Sequence, residues 1–396
     1  MHMKYHPLAL LFILILSCSS EKENSTSDQS AILPQVIDVA NAEVFDGYFT
    51  DLIEDVYFLK LDTQDDALFQ SVTNLFITDE LVIVFDEQGQ SVIIFDDEGA
   101  FQTKIYSPGD GPGQYQYLWK VAYDDVKGEV ILSAAGKILW FNTQGQFIKE
   151  KRVEFSFIKD MASLTGGRLA FHLGMNSSYS FKGQLVVMDS TFTDTKVFFP
   201  LPEEAKSRNI INFYSHFSNS KQPLSVNVFS HDISRVDEDT VYTEYRVNFG
   251  DDALPEDFIE TYVDDPNLNA QAVRDIKEQK GYLAIQGGAV QESGNHLLFL
   301  YSKGKEYFYA LFDKNNGNTL SIPYQLKVRN RESGYVYFPA TYNDYFVAGT
   351  GATLLSQVYS NFKNIDEAPI LEEVQDEVPF IWFIKFKSDV IKKPIN

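Results

Sequence analysis

The chain has 396 residues, with 33 lysines and arginines against 56 aspartates and glutamates, for a formal net charge of −23 at neutral pH. So acidic a surface repels nucleic acid and anionic lipid headgroups, and no basic stripe opposes that field, so nucleic acid is excluded as a partner. Cys18 is the single cysteine, which excludes an internal disulfide, and the length suffices for a large core without one.

The first element in chain order is an export signal. Lys4 precedes the apolar run Leu8–Leu16, and the small residue Ser17 stands just before Cys18. As a helix the run would reach about 14 Å, roughly half of a ~30 Å hydrocarbon core. It is too short for a permanent span. Ile15-Leu16-Ser17-Cys18 resembles the lipobox of bacterial lipoproteins, which implies a signal peptide over 1–17 and acylation of the Cys18 thiol. The competing reading is an ordinary signal peptide with an incidental cysteine. Residues Ser19–Ser30 are polar and without periodicity, which predicts a flexible tether over 18–33. Ser19 stands where an aspartate commonly retains bacterial lipoproteins at the inner membrane. Glu21 and Glu23 resemble signals that send Gram-negative lipoproteins to the outer face of the outer membrane. The expected location is therefore the outer membrane, surface-exposed, with the periplasmic face as the alternative. The expected membrane contact is the lipid on Cys18.

Past the tether, short apolar runs alternate with turns. Val36–Val39 and Val56–Leu61 read as strands. Leu81–Phe85 is followed by the turn Asp86-Glu-Gln-Gly89, and Ser91–Phe95 by Asp96-Asp-Glu-Gly99. Asp and Gly stand where the chain must reverse, and β-branched enrichment favours strands over buried helix. Phe95-Asp-Asp-Glu-Gly99-Ala-Phe101 returns 46 positions later as Phe141-Asn-Thr-Gln-Gly145-Gln-Phe147, with Leu75 matching Val121 and Ile77 matching Tyr123. A four-stranded unit at that spacing is a propeller blade. Echoes recur at Leu185–Asp189, Tyr307–Gly317 and Phe380–Phe386. Pairing of the early strands with Phe380–Phe386 would close the ring and remove exposed sheet edges.

Between the two copies lies Tyr106-Ser-Pro-Gly-Asp-Gly-Pro-Gly-Gln-Tyr115. With the Phe-Asp-x-x-Gly-x-Phe turn before it, this segment resembles the Gly-x-Gly-Pro-Gly-Glu-Tyr signature of six-bladed β-propeller lipoproteins of the NHL-like group. Gln114 replaces the usual glutamate. The resemblance implies an all-β, six-bladed propeller over 34–392 and implies no activity. Three glycines and two prolines make a stiff loop free of side-chain bulk, suited to carrying the chain from one blade's rim to the next inner strand. Tyr115, Tyr117 and Trp119 are then expected near one channel mouth, where aromatic faces stack on sugars or peptides. Filling space between blades is the competing reading.

Pro255–Lys280 breaks the β pattern. Pro266 at a first helical position, Val273 and Ile276, and Gly281 as a stop predict a helical insertion over about 255–281. Asp313-Lys-Asn-Asn-Gly317 departs from calcium-loop spacing and reads as a hairpin turn. Gly349-Thr-Gly-Ala-Thr353 lacks the lysine of a phosphate loop and reads as a strand in close backbone approach. Among His172, His216, His231 and His296 no pair has metal-ligand spacing, and His231 is the candidate ligand-binding histidine. No catalytic residue or cofactor can be named. The expected function is a binding module for a glycan, peptide or partner protein. The alternative is a metal-dependent propeller hydrolase or lyase of lactonase type, with acidic and histidine ligands in the axial channel. A third possibility is an assembly subunit using the helical insertion.

Overall fold

The computed structural model describes residues 33–155, 158–176, 180–201, 209–210, 217–220, 222–227, 229–262, 265, 269–286, 290–329, 333–349, 352–364 and 379–388. The segment 1–32, which carries the expected export signal, Cys18 and nearly all of the expected tether, lies outside them, as do His216 and Pro266. From Pro34 onward the chain forms a six-bladed β-propeller.

The strands of a blade pair antiparallel and run in chain order from the axis outward, blade 6 alone taking its outer strand from the start of the chain. Blade 1 comprises Asn74–Ile77, Leu81–Asp86, Ser91–Asp96 and Phe101–Ile105. Blade 2 comprises Leu118–Asp124, Glu129–Ala134, Lys137–Asn142 and Phe147–Arg152. Blade 3 comprises Asp160–Ser163, Leu169–His172, Gly183–Met188 and Thr195–Pro200. In blade 4, Phe217 adds an inner rung to Leu224–Val226, followed by Asp232–Val236 and Val241–Asn248. Blade 5 has an interrupted inner strand, Leu283–Ile285 and Gln291–Ser293, then His296–Lys303, Glu306–Asp313 and Thr319–Pro323. Blade 6 comprises Ala340–Tyr342, Tyr345–Ala348, Phe380–Phe386 and, from the other end of the chain, Ile53–Lys60.

Turn chemistry explains why the strands stop where they do. Asp96 accepts hydrogen bonds from the Glu98 and Ala100 amides, and Asn142 does the same for Gln144 and Gln146. Asp189 repeats the device with the Thr193 and Asp194 amides. A short polar side chain captures the turn's free N–H groups at the third-to-fourth-strand reversal of blades 1, 2 and 3. The Asp313–Gly317 segment is likewise a hairpin turn, with Asp313 accepting from the Asn315 amide.

Strand alternation divides each blade between two neighbours. Ile83, Phe85, Val92 and Ile94 pack with Val121, Leu132 and Leu139 of blade 2. Val82, Val84, Ile93 and Phe95 pack with Val347, Ile381 and Phe383 of blade 6. Strands buried on both sides therefore read as continuous apolar runs.

Ring closure differs in one respect from the expectation. Ile53–Lys60 pairs antiparallel with Phe380–Phe386, as the seam requires. The earlier strand, Gln35–Asp38, does not join it. It lies parallel on Val241–Asn248 of blade 4, and Glu43–Val44 then lies parallel on Thr319–Pro323 of blade 5. The first described segment thus runs as a strap along the outer edges of blades 4, 5 and 6. Ile37 and Phe49 hold it down, both buried in interblade cores.

Three helices occur among the described residues. The helical insertion consists of α1 (Phe258–Tyr262) and α2 (Ala270–Lys280). Asn269, whose side chain accepts from the Gln271 and Ala272 amides, starts α2, and Gly281 ends it. Phe258, Leu254 and Val273 bury the insertion against the propeller. The third helix, α3 (Ala352–Lys363), corrects the reading of 349–353 as a strand: the strand ends at Ala348. Leu354, Leu355 and Val358 follow helical spacing and seat α3 in the core between blades 5 and 6.

Candidate functional site

The C-terminal ends of the inner strands converge on a cavity of about 360 Å³ at the axis. Blade 1 contributes Leu75–Thr78, blade 2 Ala122–Val126, blade 3 Met161–Thr165, blade 4 Phe217–Ser220 and blade 6 Thr341. The volume falls in the range that accepts a small ligand. Leu75, Ile77, Met161 and Leu164 form an aliphatic lining, and the Phe76 and Tyr123 rings stand 6.4 Å apart. Thr78, Ser163, Thr165, Ser220 and Thr341 add hydroxyl-bearing residues to the lining; the Thr78 oxygen accepts the Glu80 and Leu81 amides, and Ser220 donates to the Gln222 carbonyl.

Asn219 is the most constrained of these polar groups. Its side-chain nitrogen donates to the Leu75 carbonyl at 2.6 Å and the Pro339 carbonyl at 2.9 Å, tying blade 4 to blades 1 and 6. Both amide hydrogens are committed, so Oδ1 is left as a fixed acceptor at the cavity. The loop carrying Asn219 is fastened at both ends. Asp160 of blade 3 accepts the Phe217 amide at 2.9 Å, and Ser218 Oγ accepts the Leu224 amide at 2.7 Å.

Two carboxylates, Asp124 and Asp125, stand at this mouth. Asp124 accepts the Val126 and Lys127 amides and pairs with Lys127, so its carboxylate shapes the turn. Asp125 is exposed on the lip. Burial raises the Tyr123 phenol above its ordinary pKa, and Asp125, Asp124 and Glu80 push it the same way. Among the described residues no lysine or arginine lines the cavity.

The residues singled out from sequence lie elsewhere. Tyr115 is 2 % exposed and sits in the core between blades 1 and 2. Its hydroxyl donates toward the Gln90 carbonyl at 2.9 Å, with the Ile105 carbonyl at 3.2 Å, and burial pushes its pKa up to about 12. The ring braces two blades and offers no face to a ligand. Tyr117, 40 % exposed, meets Trp119 at a tilt of 54° with ring centroids 4.4 Å apart. Both stand at the start of the blade 2 inner strand, and Trp119 lies about 17 Å along it from Asp124 at ~3.4 Å per residue. They therefore belong to the opposite mouth.

His231 precedes the Asp232–Val236 strand of blade 4 rather than lying on an inner strand. Its Nε2 is 2.6 Å from the Leu254 carbonyl, and its ring meets Phe249 edge-on. His172 is buried, with Nδ1 accepting the Gly174 amide, and His296 is buried opposite Asp313. Among the described residues no three His, Cys, Asp or Glu side chains gather as a metal site. The carboxylates lining the cavity are Asp124 and Asp125.

Asn219 and Tyr123 were not among the sequence candidates. One signal pointed to Tyr123: it matches Ile77 in the 46-residue repeat, and both positions line the cavity. A polar aromatic replacing an aliphatic residue at a repeat position that faces the axis marks a place where one blade departs from pure packing. Asn219 lies in an irregular loop with no repeat partner, and nothing local distinguishes it.

Residues 34–378 match the family described as a domain of unknown function, DUF4934. No curated protein matches the chain. Among solved structures, a Bacteroides fragilis protein described as exported superposes with a TM-score of 0.70 at 23 % identity, covering 89 % of this chain and 100 % of that one. A Bacteroides vulgatus member of the DUF4221 family gives a TM-score of 0.48 at 10 % identity, covering 85 % of this chain and 97 % of its own.

Proposed function

Since the chain belongs to the DUF4934 family and carries that domain as a six-bladed propeller, we propose that it is a cell-envelope binding module taking its ligand in the axial cavity. The observation that carries this reading is the cavity itself. Five blades converge on it, and Asn219 is fixed there by two carbonyls so that it presents an acceptor before any ligand arrives. A propeller leaves such a site to the variable ends of its strands, where side chains change without disturbing the blades.

The envelope part of the reading is supported by the Lys4–Cys18 segment, with its lipobox-like end, and by the fold shared with a protein described as exported. Among the described residues no helix is long and apolar enough to cross a membrane. In this reading acyl chains on Cys18 hold the chain at the outer membrane, and the polar stretch to residue 33 gives it reach.

Two measurements test it. Cys18→Ser moves the protein from the membrane fraction to the soluble fraction on cell fractionation; retention in the membrane refutes the anchor. Thr78→Trp, which plugs the cavity at its lip, abolishes the thermal stabilisation that wild-type protein shows with a hit from a small-molecule screen. Unchanged stabilisation in that variant refutes the cavity as the site.

A further inference from the structure

We propose that the ligand of this cavity is an uncharged sugar unit, received by the fixed Asn219 acceptor and the Phe76–Tyr123 wall. The inference rests on the cavity being the ligand site and adds the class of ligand. Sugars combine apolar C–H faces with hydroxyls that both donate and accept, and the lining offers the counterpart to each.

The aliphatic and aromatic groups, Leu75, Ile77, Phe76 and Tyr123, suit the C–H face. Hydroxyls such as Ser163 and Thr341 donate and accept in turn, as sugar hydroxyls do, while Thr78, whose oxygen accepts the Glu80 and Leu81 amides, keeps its proton to donate. Asn219 Oδ1 only accepts, and its two N–H groups are already spent on Leu75 and Pro339. It therefore takes a donor from the ligand, and a sugar hydroxyl is one.

Other classes fit less well on the same observations. An apolar ligand would strip water from these hydroxyls and return no hydrogen bond, which costs free energy for each group left unpaired. A phosphate, sulfate or uronate would bring negative charge to a lining whose described residues include the carboxylates of Asp124 and Asp125 and no lysine or arginine. An ammonium group is drawn by those carboxylates, yet it carries three donors and no acceptor, so the hydroxyl protons lining the cavity would go unmatched.

The test uses the full chain with its signal removed, titrated by calorimetry against defined probes: glucose, galactose, N-acetylglucosamine and xylose, then ethanolamine, inorganic phosphate and diglycine. At least one sugar is expected to bind, with an affinity unchanged by added salt because the ligand carries no charge. Tyr123→Ala is expected to weaken that sugar about tenfold, and Thr78→Trp to abolish it. Both positions are partly exposed, so neither variant depends on refilling a sealed core. Binding of ethanolamine, phosphate or diglycine in place of sugar, lost in Thr78→Trp, overturns the ligand class and leaves the cavity as the site. Sugar binding that survives Thr78→Trp overturns both. Failure of all four sugars to bind overturns the sugar assignment.

Discussion

Glu292 is a residue whose environment can be read as a pH dependence. It lies on the inner strand of blade 5 and receives Arg235 of blade 4 at 2.8 Å, Lys314 at 3.0 Å and the Tyr245 hydroxyl at 3.2 Å. Burial pushes its carboxyl up, but Arg235 and Lys314 outweigh burial and hold it below the ordinary glutamate value of 4.5. A depressed carboxyl stabilises the fold above its unfolded pKa and loses that contribution as pH falls through the native one. Glu292→Gln should therefore cost about 1–3 kcal/mol at pH 7 by urea unfolding, with the gap to wild type closing below pH 4.5. Arg235 keeps Glu244 and the Gln222 carbonyl in the variant, which limits the loss. A gap that persists unchanged in acid would show that the charge is not what matters. Tyr115 makes a parallel point about reading residues singly. An aromatic beside a glycine-rich loop was legible as important, but its role in joining blades was set by carbonyls at Gln90 and Ile105, which no local pattern identifies.

Among the elements, the loop from Tyr106 to Tyr115 shows the closest agreement between pattern and structure. It leaves the outer strand of blade 1, folds against the outer strand of blade 2 and returns to the axis. Gly113 adopts a φ of 74°, and a Cβ there would stand 2.8 Å from the Phe147 ring. Its amide donates to Glu150, which also pairs with Lys137. Gly113→Ala is accordingly expected to destabilise the fold by about 1–3 kcal/mol, seen as a lower calorimetric midpoint; an unchanged midpoint would mean the loop relaxes freely. Gln114 has a local role as well, since its Oε1 accepts the Gly111 amide at 2.9 Å. An amide performs this task without a carboxylate. The element that escaped notice is α3. Gly349 and Gly351 drew attention to a backbone junction, while the helical spacing of Leu354, Leu355, Val358 and Tyr359 came just after it.

At the level of the whole molecule, periodicity revealed the blades because each is built from contiguous strands with the same turn chemistry. The strap and the cavity were hidden for the opposite reason. Gln35 pairs with Tyr245, and Glu43 with Leu320, across separations that no window of sequence spans. The cavity assembles from five short stretches between Leu75 and Thr341 that meet only once the ring is closed. Deleting residues 34–44 should leave closure by Ile53–Lys60 intact while baring the edges of blades 4 and 5. Loss of Ile37 and Val39 from the interblade core is expected to cost about 2–5 kcal/mol. The bared strands are expected to give concentration-dependent self-association by light scattering. A variant that stays monomeric would show that those edges need no cover. Extending the deletion through Lys60 removes the outer strand of blade 6, and cooperative unfolding should disappear.

The strap also bears on the order in which the chain folds. Residues 35–60 precede every blade in the chain, yet their pairing partners lie between residues 241 and 386. Blades 1 to 3 draw all their strands from neighbouring sequence, whereas the leading segment needs partners from the far end and closes a much longer loop to reach them. Locking the ring is therefore the final act of folding, and a chain truncated short of Phe380 has no means of performing it.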